Sequence, residues 1–297
     1  MLCNKIFTVL GGDSRQGALA ARLATRARPV RVWGLPRETL PETIEHFADW
    51  REAIGGADAV ILPLPALPDG SRVSASPCVS TDAPHITELL ELLPDGVFLA
   101  GGKFSPAIKQ LAEEHGKPLF DYFEIEELQL KNAIPTAEGA VQILMREVPR
   151  TVRDLAVAVT GYGRVARALS DLLLAMGARV TVAARKSADL AIAAAHGCQT
   201  VPLSGVGSLV QLAEGQAAIF NTVPYWLFSE EVLRRMPAQS LVIDLASAPG
   251  GVDANAAAAH GIRVIWALAL PGKYAPLTAG EIIADTLLSH MEKEGLL

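Results

Sequence analysis

Cysteine is scarce in this 297-residue chain: Cys3, Cys78 and Cys198 stand far apart, with no CxxC or Cys/His ligand spacing. That pattern excludes a sequence-encoded zinc site and a disulfide framework, and predicts structural thiols in a reducing cytoplasm. Basic excess is missing too, since 26 Lys and Arg stand against 32 Asp and Glu, a net charge of -6. Without a positive field, nucleic acid and anionic membrane surfaces are not expected partners, and an anionic substrate needs a local basic pocket. No apolar run reaches the roughly 20 residues of a bilayer span; the stretch 169–176, for example, is cut by Asp171. The N-terminus lacks the long apolar segment of a signal peptide, so export is not expected. The six histidines, His46, His85, His115, His196, His260 and His290, stand singly without metal or triad spacing, which predicts surface or capping roles and no metal site.

What is present is an alternation. Half the residues are apolar and a fifth charged, enough for two compact domains of ordinary size. Short apolar runs alternate with helical patterns, the signature of parallel sheets covered on both faces. Strands are predicted at 6–10, 30–33, 59–62, 97–100 and 118–121, then at 155–160, 179–183, 218–221, 241–244 and 263–266. A helix starting near Pro135 or Thr136 and ending before Pro149 should join the halves. The expected fold is therefore α/β, with two Rossmann-like doubly wound parallel-sheet domains, residues 1–149 and 150–297, and an interdomain cleft. The last helix, about 279–293, is placed to cross back to the first domain.

The strand at 155–160 leads directly into Gly161-Tyr162-Gly163-Arg164-Val165-Ala166 and a helix. In a GxGxxA turn of this kind the first glycine permits the tight turn, the second lets backbone approach a pyrophosphate, and the small last residue lets helix and strand pack closely. The following strand ends in Ala184-Arg185-Lys186-Ser187 where NAD sites usually carry an acidic residue. A carboxylate would repel a ribose 2′-phosphate, whereas Arg185 can bind it bidentately, so NADP is favoured over NAD. Asn221-Thr222-Val223-Pro224 and Asp244-Leu245-Ala246-Ser247 follow later strands, at the carboxyl edge where ligands sit. Asn221 to Pro224 are expected near the nicotinamide ribose, and Ser247 to Gly251 near the ring.

In the first half, Gly11-Gly12-Asp13-Ser14-Arg15 also follows a strand but lacks dinucleotide spacing; Arg15 suits a substrate carboxylate. Ala100-Gly101-Gly102-Lys103-Phe104-Ser105-Pro106 repeats the arrangement, with Ser105 as helix cap and Lys103 as a source of charge. Thr136 and Glu138 at the linking helix are expected as substrate donor and proton acceptor, against the plainer reading of a helix cap and an acidic first turn. Residues 270–280, rich in Pro and Gly, read as a shaped loop.

Taken together, Gly11-Gly12-Asp13-x-Arg15-Gln16, Ile134-Pro135-Thr136-x-Glu138-Gly139, Gly161-x-Gly163-Arg164, Ala184-Arg185-x-Ser187, Asp244-Leu245-Ala246-Ser247-x-Pro249-Gly250-Gly251 and Pro271-Gly272-x-x-Ala275-Pro276-x-Thr278-Ala279-Gly280 resemble the family of A-type subunits of dipicolinate synthase. The layout is more distantly similar to shikimate dehydrogenase. The first resemblance implies NADP-dependent oxidation of dihydrodipicolinate to dipicolinate (pyridine-2,6-dicarboxylate), in the mother-cell cytoplasm of a sporulating bacterium, with a separately encoded B-type subunit of dipicolinate synthase as partner. Arg15, Lys103, Arg164 and Lys273 are then the cations for a dianionic substrate, and Glu138 the base. Two other readings stay open: an NADP-dependent reductase of another small carboxylate, or an NADP-binding subunit without chemistry of its own. Oligomeric state is not legible.

Overall fold

The computed structural model describes residues 4–75 and 82–297. Cys3 and Cys78 lie outside them. The chain divides into two compact units, one formed by residues up to Asn132 together with Ala275–Leu297, the other by Ala133–Tyr274.

The first unit runs β1 (Phe7–Leu10), α1 (Ser14–Leu23), β2 (Val30–Trp33), β3 (Glu45–Phe47), α2 (Trp50–Ile54), β4 (Ala59–Ile61), α3 (Ile86–Leu92), β5 (Phe98–Gly101), α4 (Pro106–Glu114) and β6 (Leu119–Asp121). Its sheet has the order β3-β2-β1-β4-β5-β6, and every pairing is parallel. Strands covered on both faces bury successive side chains in opposite directions. Thus Val9, Val32 and Ile61 join one core with Leu19 and Leu23, while Leu10, Trp33, Val60 and Leu62 join another with Trp50 and Leu89.

Next comes α5 (Glu126–Glu147), then β7 (Ala156–Thr160), α6 (Arg164–Ala175), β8 (Arg179–Ala184), α7 (Ser187–Ala195), β9 (Gln199–Pro202), α8 (Val206–Ala213), β10 (Ala218–Asn221), α9 (Glu230–Leu233), β11 (Leu241–Asp244), α10 (Ala254–Ala259), β12 (Arg263–Trp266), α11 (Leu270–Tyr274) and α12 (Pro276–Lys293). The second sheet, β12-β11-β10-β7-β8-β9, repeats the order of the first and is also parallel throughout. Both units are therefore doubly wound Rossmann-type sheets, as the alternation predicts.

Three expectations are corrected. Each sheet has six strands rather than five, because β3 and β9 are edge strands in which polar and half-exposed residues replace the apolar run that marks the others. The helix expected to start at Pro135 starts at Glu126, with Glu126 and Glu127 in its first turn and Pro135 in its interior. An interior proline costs about 3 kcal/mol; here the helix continues because residues on both sides are buried, Leu128 in the first unit's core and Ala137, Ala140, Val141, Ile143 and Leu144 in the second's. That burial also puts the change of unit inside α5 instead of at Pro149. Finally, residues 270–280 form α11 and the start of α12, broken only at Ala275, since Pro276 takes a first-turn position of α12, where a missing amide costs nothing.

Helix α12 packs on α1 within the first unit, contributing Ile283, Ala284, Leu287, Leu288 and Met291 to its core. The two helices approach so closely at Gly280 that a side chain there would collide with the Arg15 carbonyl oxygen and Ala18. Flanking ion pairs join Arg22 to Asp285 at 2.9 Å and Arg26 to Glu292 at 2.8 Å. Gly280→Ala is expected to lower stability by about 1–3 kcal/mol, seen as an earlier urea midpoint, whereas the exposed Ser289→Ala should leave the midpoint unchanged.

Candidate functional site

Both sheets place a glycine loop at the carboxyl end of their central strand, but the two loops differ in what fills them. After β1, the loop is closed by its own chain. Gly12 donates its amide to the Ser74 carbonyl at 2.7 Å. Asp13 caps α1 by accepting from the Arg15 amide at 2.9 Å, and Gln16 returns the bond by accepting from the Asp13 amide at 3.1 Å. Arg15, read from sequence as a cation for substrate, is buried: Nη2 lies 2.7 Å from Asp13 Oδ2 and donates to the Leu64 carbonyl at 2.6 Å. Its charge is offset by Asp13, and it ties the loop after β1 to the one after β4.

The loop after β7 is open. Gly161 sits at φ 85°, a left-handed conformation suited to glycine, and a side chain on it would crowd Thr222 and Val223. Gly163 caps α6 without any side-chain hydrogen bond, and among the described residues a Cβ built on it meets no atom within 4 Å. The start of α6 thus has free space and a positive dipole end. Ala166 is fully buried, the close helix–strand contact that the motif predicts. Tyr162 turns inward: its ring belongs to the core and burial raises its phenol pKa, so only its backbone faces the loop. Arg164 and Gly163 are exposed, and Val165 is half-buried.

On one side of this loop, β8 ends in buried Ala184, followed by exposed Arg185, Lys186 and Ser187. No carboxylate stands among these residues. On the other side, three strand ends are joined by a buried polar chain. Thr160 donates its hydroxyl to Asn221 Oδ1 at 2.6 Å, and Asn221 Nδ2 donates to Asp244 Oδ1 at 2.8 Å. Asp244, 2% exposed, also accepts from the amides of Ala246 at 3.0 Å and Gly251 at 2.8 Å. Asn221 further accepts from the Val223 amide and donates to its carbonyl. Its side chain is therefore spent on shaping the loops, and Thr222, Val223, Pro224 and Ser247 are the neighbouring residues left partly or fully exposed. Sequence reading misses this network. Its signal is a polar residue closing each buried strand, Asn221 after Ala-Ile-Phe and Asp244 after Leu-Val-Ile.

In the first unit, Asp121 accepts from the amides of Lys103, Phe104 and Phe123 at 2.9–3.1 Å. This grip holds Lys103 at φ 63°, unusual for a side chain of its size, with Nζ 5.1 Å from the Phe123 ring. Tyr122 is buried, donates to the Leu62 carbonyl at 3.0 Å, and has its phenol pKa pushed far up by burial. Ser105 caps α4 with Pro106 following, as expected. Thr136 is half-buried and Glu138 exposed, both in mid-helix, so the cap and first-turn explanation for them does not apply. Among the histidines, His85 caps α3, while His115, His196 and His260 end α4, α7 and α10. Cys198 is buried with its thiol pKa raised by desolvation, an inert structural thiol. Among the described residues no His, Cys, Asp and Glu cluster could hold a metal ion, and no helix is long and apolar enough to cross a membrane.

Two doubly wound parallel sheets, the second with a GxGxxA loop after its central strand, define an α/β protein of two Rossmann-type units. Residues 6–123 match the family model for the N-terminal domain of the A-type subunit of dipicolinate synthase. The chain is 29% identical to the A-type subunit of dipicolinate synthase from Bacillus subtilis over 288 residues, covering 97% of this chain and 96% of that protein. The crystal structure of the corresponding dipicolinate synthase subunit from Bacillus halodurans superposes with a TM-score of 0.86 at 29% identity, covering 98% of this chain and 99% of that one. The fold extends to a transhydrogenase from Sinorhizobium meliloti, TM-score 0.69 at 15% identity, covering 97% and 94%. Over its whole length, as its motifs indicate, the chain is thus a relative of the A-type subunits of dipicolinate synthase.

Replacing Asp244 by Ala would strand the donors of Asn221, Ala246 and Gly251 in the interior. A loss of about 2–4 kcal/mol is expected, measured by thermal unfolding, with Asp244→Asn falling between because it keeps one acceptor.

Proposed function

We propose that the chain is the dehydrogenase component of a dipicolinate synthase, oxidising a dihydropyridine dicarboxylate to pyridine-2,6-dicarboxylate with NADP, in concert with a second, B-type component in the cytoplasm of a sporulating cell. The observation that carries the cofactor is the start of α6, where the glycine cap makes no side-chain hydrogen bond and a Cβ on Gly163 would meet no described atom, together with the Arg185-Lys186 pair at the end of β8. The α1 start is capped and its charge compensated, so it does not compete for the dinucleotide.

The residues fit the group. Backbone at Gly161 to Val165 would face the pyrophosphate, and Arg185, Lys186 and Ser187 the 2′-phosphate. When bound, the nicotinamide accepts a hydride from a ring carbon. The accompanying ring proton needs a base, and Glu138 is the exposed carboxylate we assign to it; half-buried Thr136, two residues earlier on α5, is assigned as a donor to the substrate. Exposed Lys103 supplies charge for a substrate carboxylate, and Ser247 lies at the carboxyl edge of the second sheet. Aromatisation of the product provides driving force, so the protein's work is orientation and proton removal.

Arg185→Asp is expected to raise the KM for NADP roughly tenfold or more, as loss of a charge-assisted bond predicts, while the KM for NAD stays level or falls. Equal effects on both would reject the assignment. Glu138→Gln should lower the rate of pyridine dicarboxylate formation, followed by its ultraviolet absorbance with the B-type component present, by about 100-fold or more. Full turnover in that variant places the base elsewhere, and turnover by the B-type component on its own would make this chain a binding subunit.

A further inference from the structure

The loop between β10 and α9 holds two large aromatic side chains in water. Tyr225 is 70% exposed and Trp226 53% exposed. Single exposed aromatics are common, but two adjacent ones on a tightly held loop are not explained by packing. This loop is fixed at both ends. At its start, Thr222 donates both its amide and its hydroxyl to the Thr160 carbonyl, at 3.2 and 2.8 Å, and Asn221 brackets Val223 from below. In the middle, the Tyr225 amide turns back to the Val223 carbonyl at 2.9 Å, and the Leu227 amide to the Tyr225 carbonyl at 2.6 Å. At its end, Phe228 is fully buried and pairs with the Gly251 segment. Successive tight turns leave the two rings outside the anchored backbone.

The same loop lies against the open phosphate loop. A side chain on Gly161 would touch Thr222 Oγ1 at 2.7 Å and Val223 Cγ2 at 2.9 Å. The rings of Tyr225 and Trp226 therefore begin only a few residues beyond the point where a pyrophosphate would sit. A dinucleotide carries a planar heteroaromatic base at each end of that pyrophosphate. Aromatic side chains bind such faces by stacking, with little loss of conformational freedom of their own.

We infer that Trp226, supported by Tyr225, is a stacking platform for a planar base of the bound dinucleotide, and so sets affinity for the cofactor. The inference rests on the dinucleotide reading of the second unit. Its chemistry is shared by the adenine and nicotinamide ends, which the experiment separates.

The test titrates NADP, adenosine 2′,5′-bisphosphate and nicotinamide mononucleotide into wild-type protein, W226A, W226F and Y225A, followed by calorimetry and tryptophan fluorescence. NADP should quench wild-type emission, and W226F should lose most of that quenching. Trp33 and Trp50 are buried, and W266F serves as the control for the other exposed indole. The Kd for NADP is expected to rise about tenfold in W226A but by no more than about threefold in W226F, which keeps a stacking face. Whichever mononucleotide shows the same loss in W226A identifies the stacked base. If W226A and Y225A bind NADP and both fragments as tightly as wild type, the platform is overturned while the cofactor reading stands. If wild type binds no NADP, the cofactor reading fails and takes this inference with it.

Discussion

The buried carboxylate of Asp244 organises the functional edge of the second unit. A charge removed from water is costly unless donors surround it, and here they come from three places: the Asn221 side chain and the amides of Ala246 and Gly251. Through Asn221 the constraint passes to Thr160 at the end of β7, immediately before the glycine loop at Gly161. Loop positions that a ligand would meet are thus set from inside the sheet. A surface loop without such an anchor would have to be ordered by the ligand itself, at the ligand's expense in affinity.

The contrast between the two glycine loops follows the same physics. Strand order and loop position are identical in the two sheets, yet one helix start is capped by the Asp13 side chain, with Gln16 and Arg15 bound to it, whereas the Gly163 cap of the other makes no side-chain hydrogen bond. Fold alone does not distinguish a ligand site from a structural turn. What distinguishes them here is whether a capping side chain occupies the helix start.

Much of this is readable in the sequence. Ten strands declare themselves by apolar runs, and several end within a residue of their predicted limits, because a strand buried on both faces has little compositional freedom. The edge strands β3 and β9 escape, since exposure removes that constraint. Gly161, Gly163 and Ala166 are legible because each answers to a local backbone requirement. Arg15 misleads for the opposite reason: that its partner is Asp13 depends on a long-range fact, the burial of the loop against Leu64. The start of α5 is equally hidden, because Pro135 looks like a helix beginning unless one knows that both flanks are held by cores. Tyr225 and Trp226 give no signal in sequence, where an aromatic carries no mark of which way it will face.

The return of α12 makes the first unit discontinuous in the chain. Its core needs Ile283, Leu287 and Met291, which follow the whole of the second unit in the chain. During synthesis the second unit has all of its sequence available while the first still lacks a helix. Of the two units, the first is therefore completed after the second. A nascent chain still lacking α12 would expose the apolar face of α1.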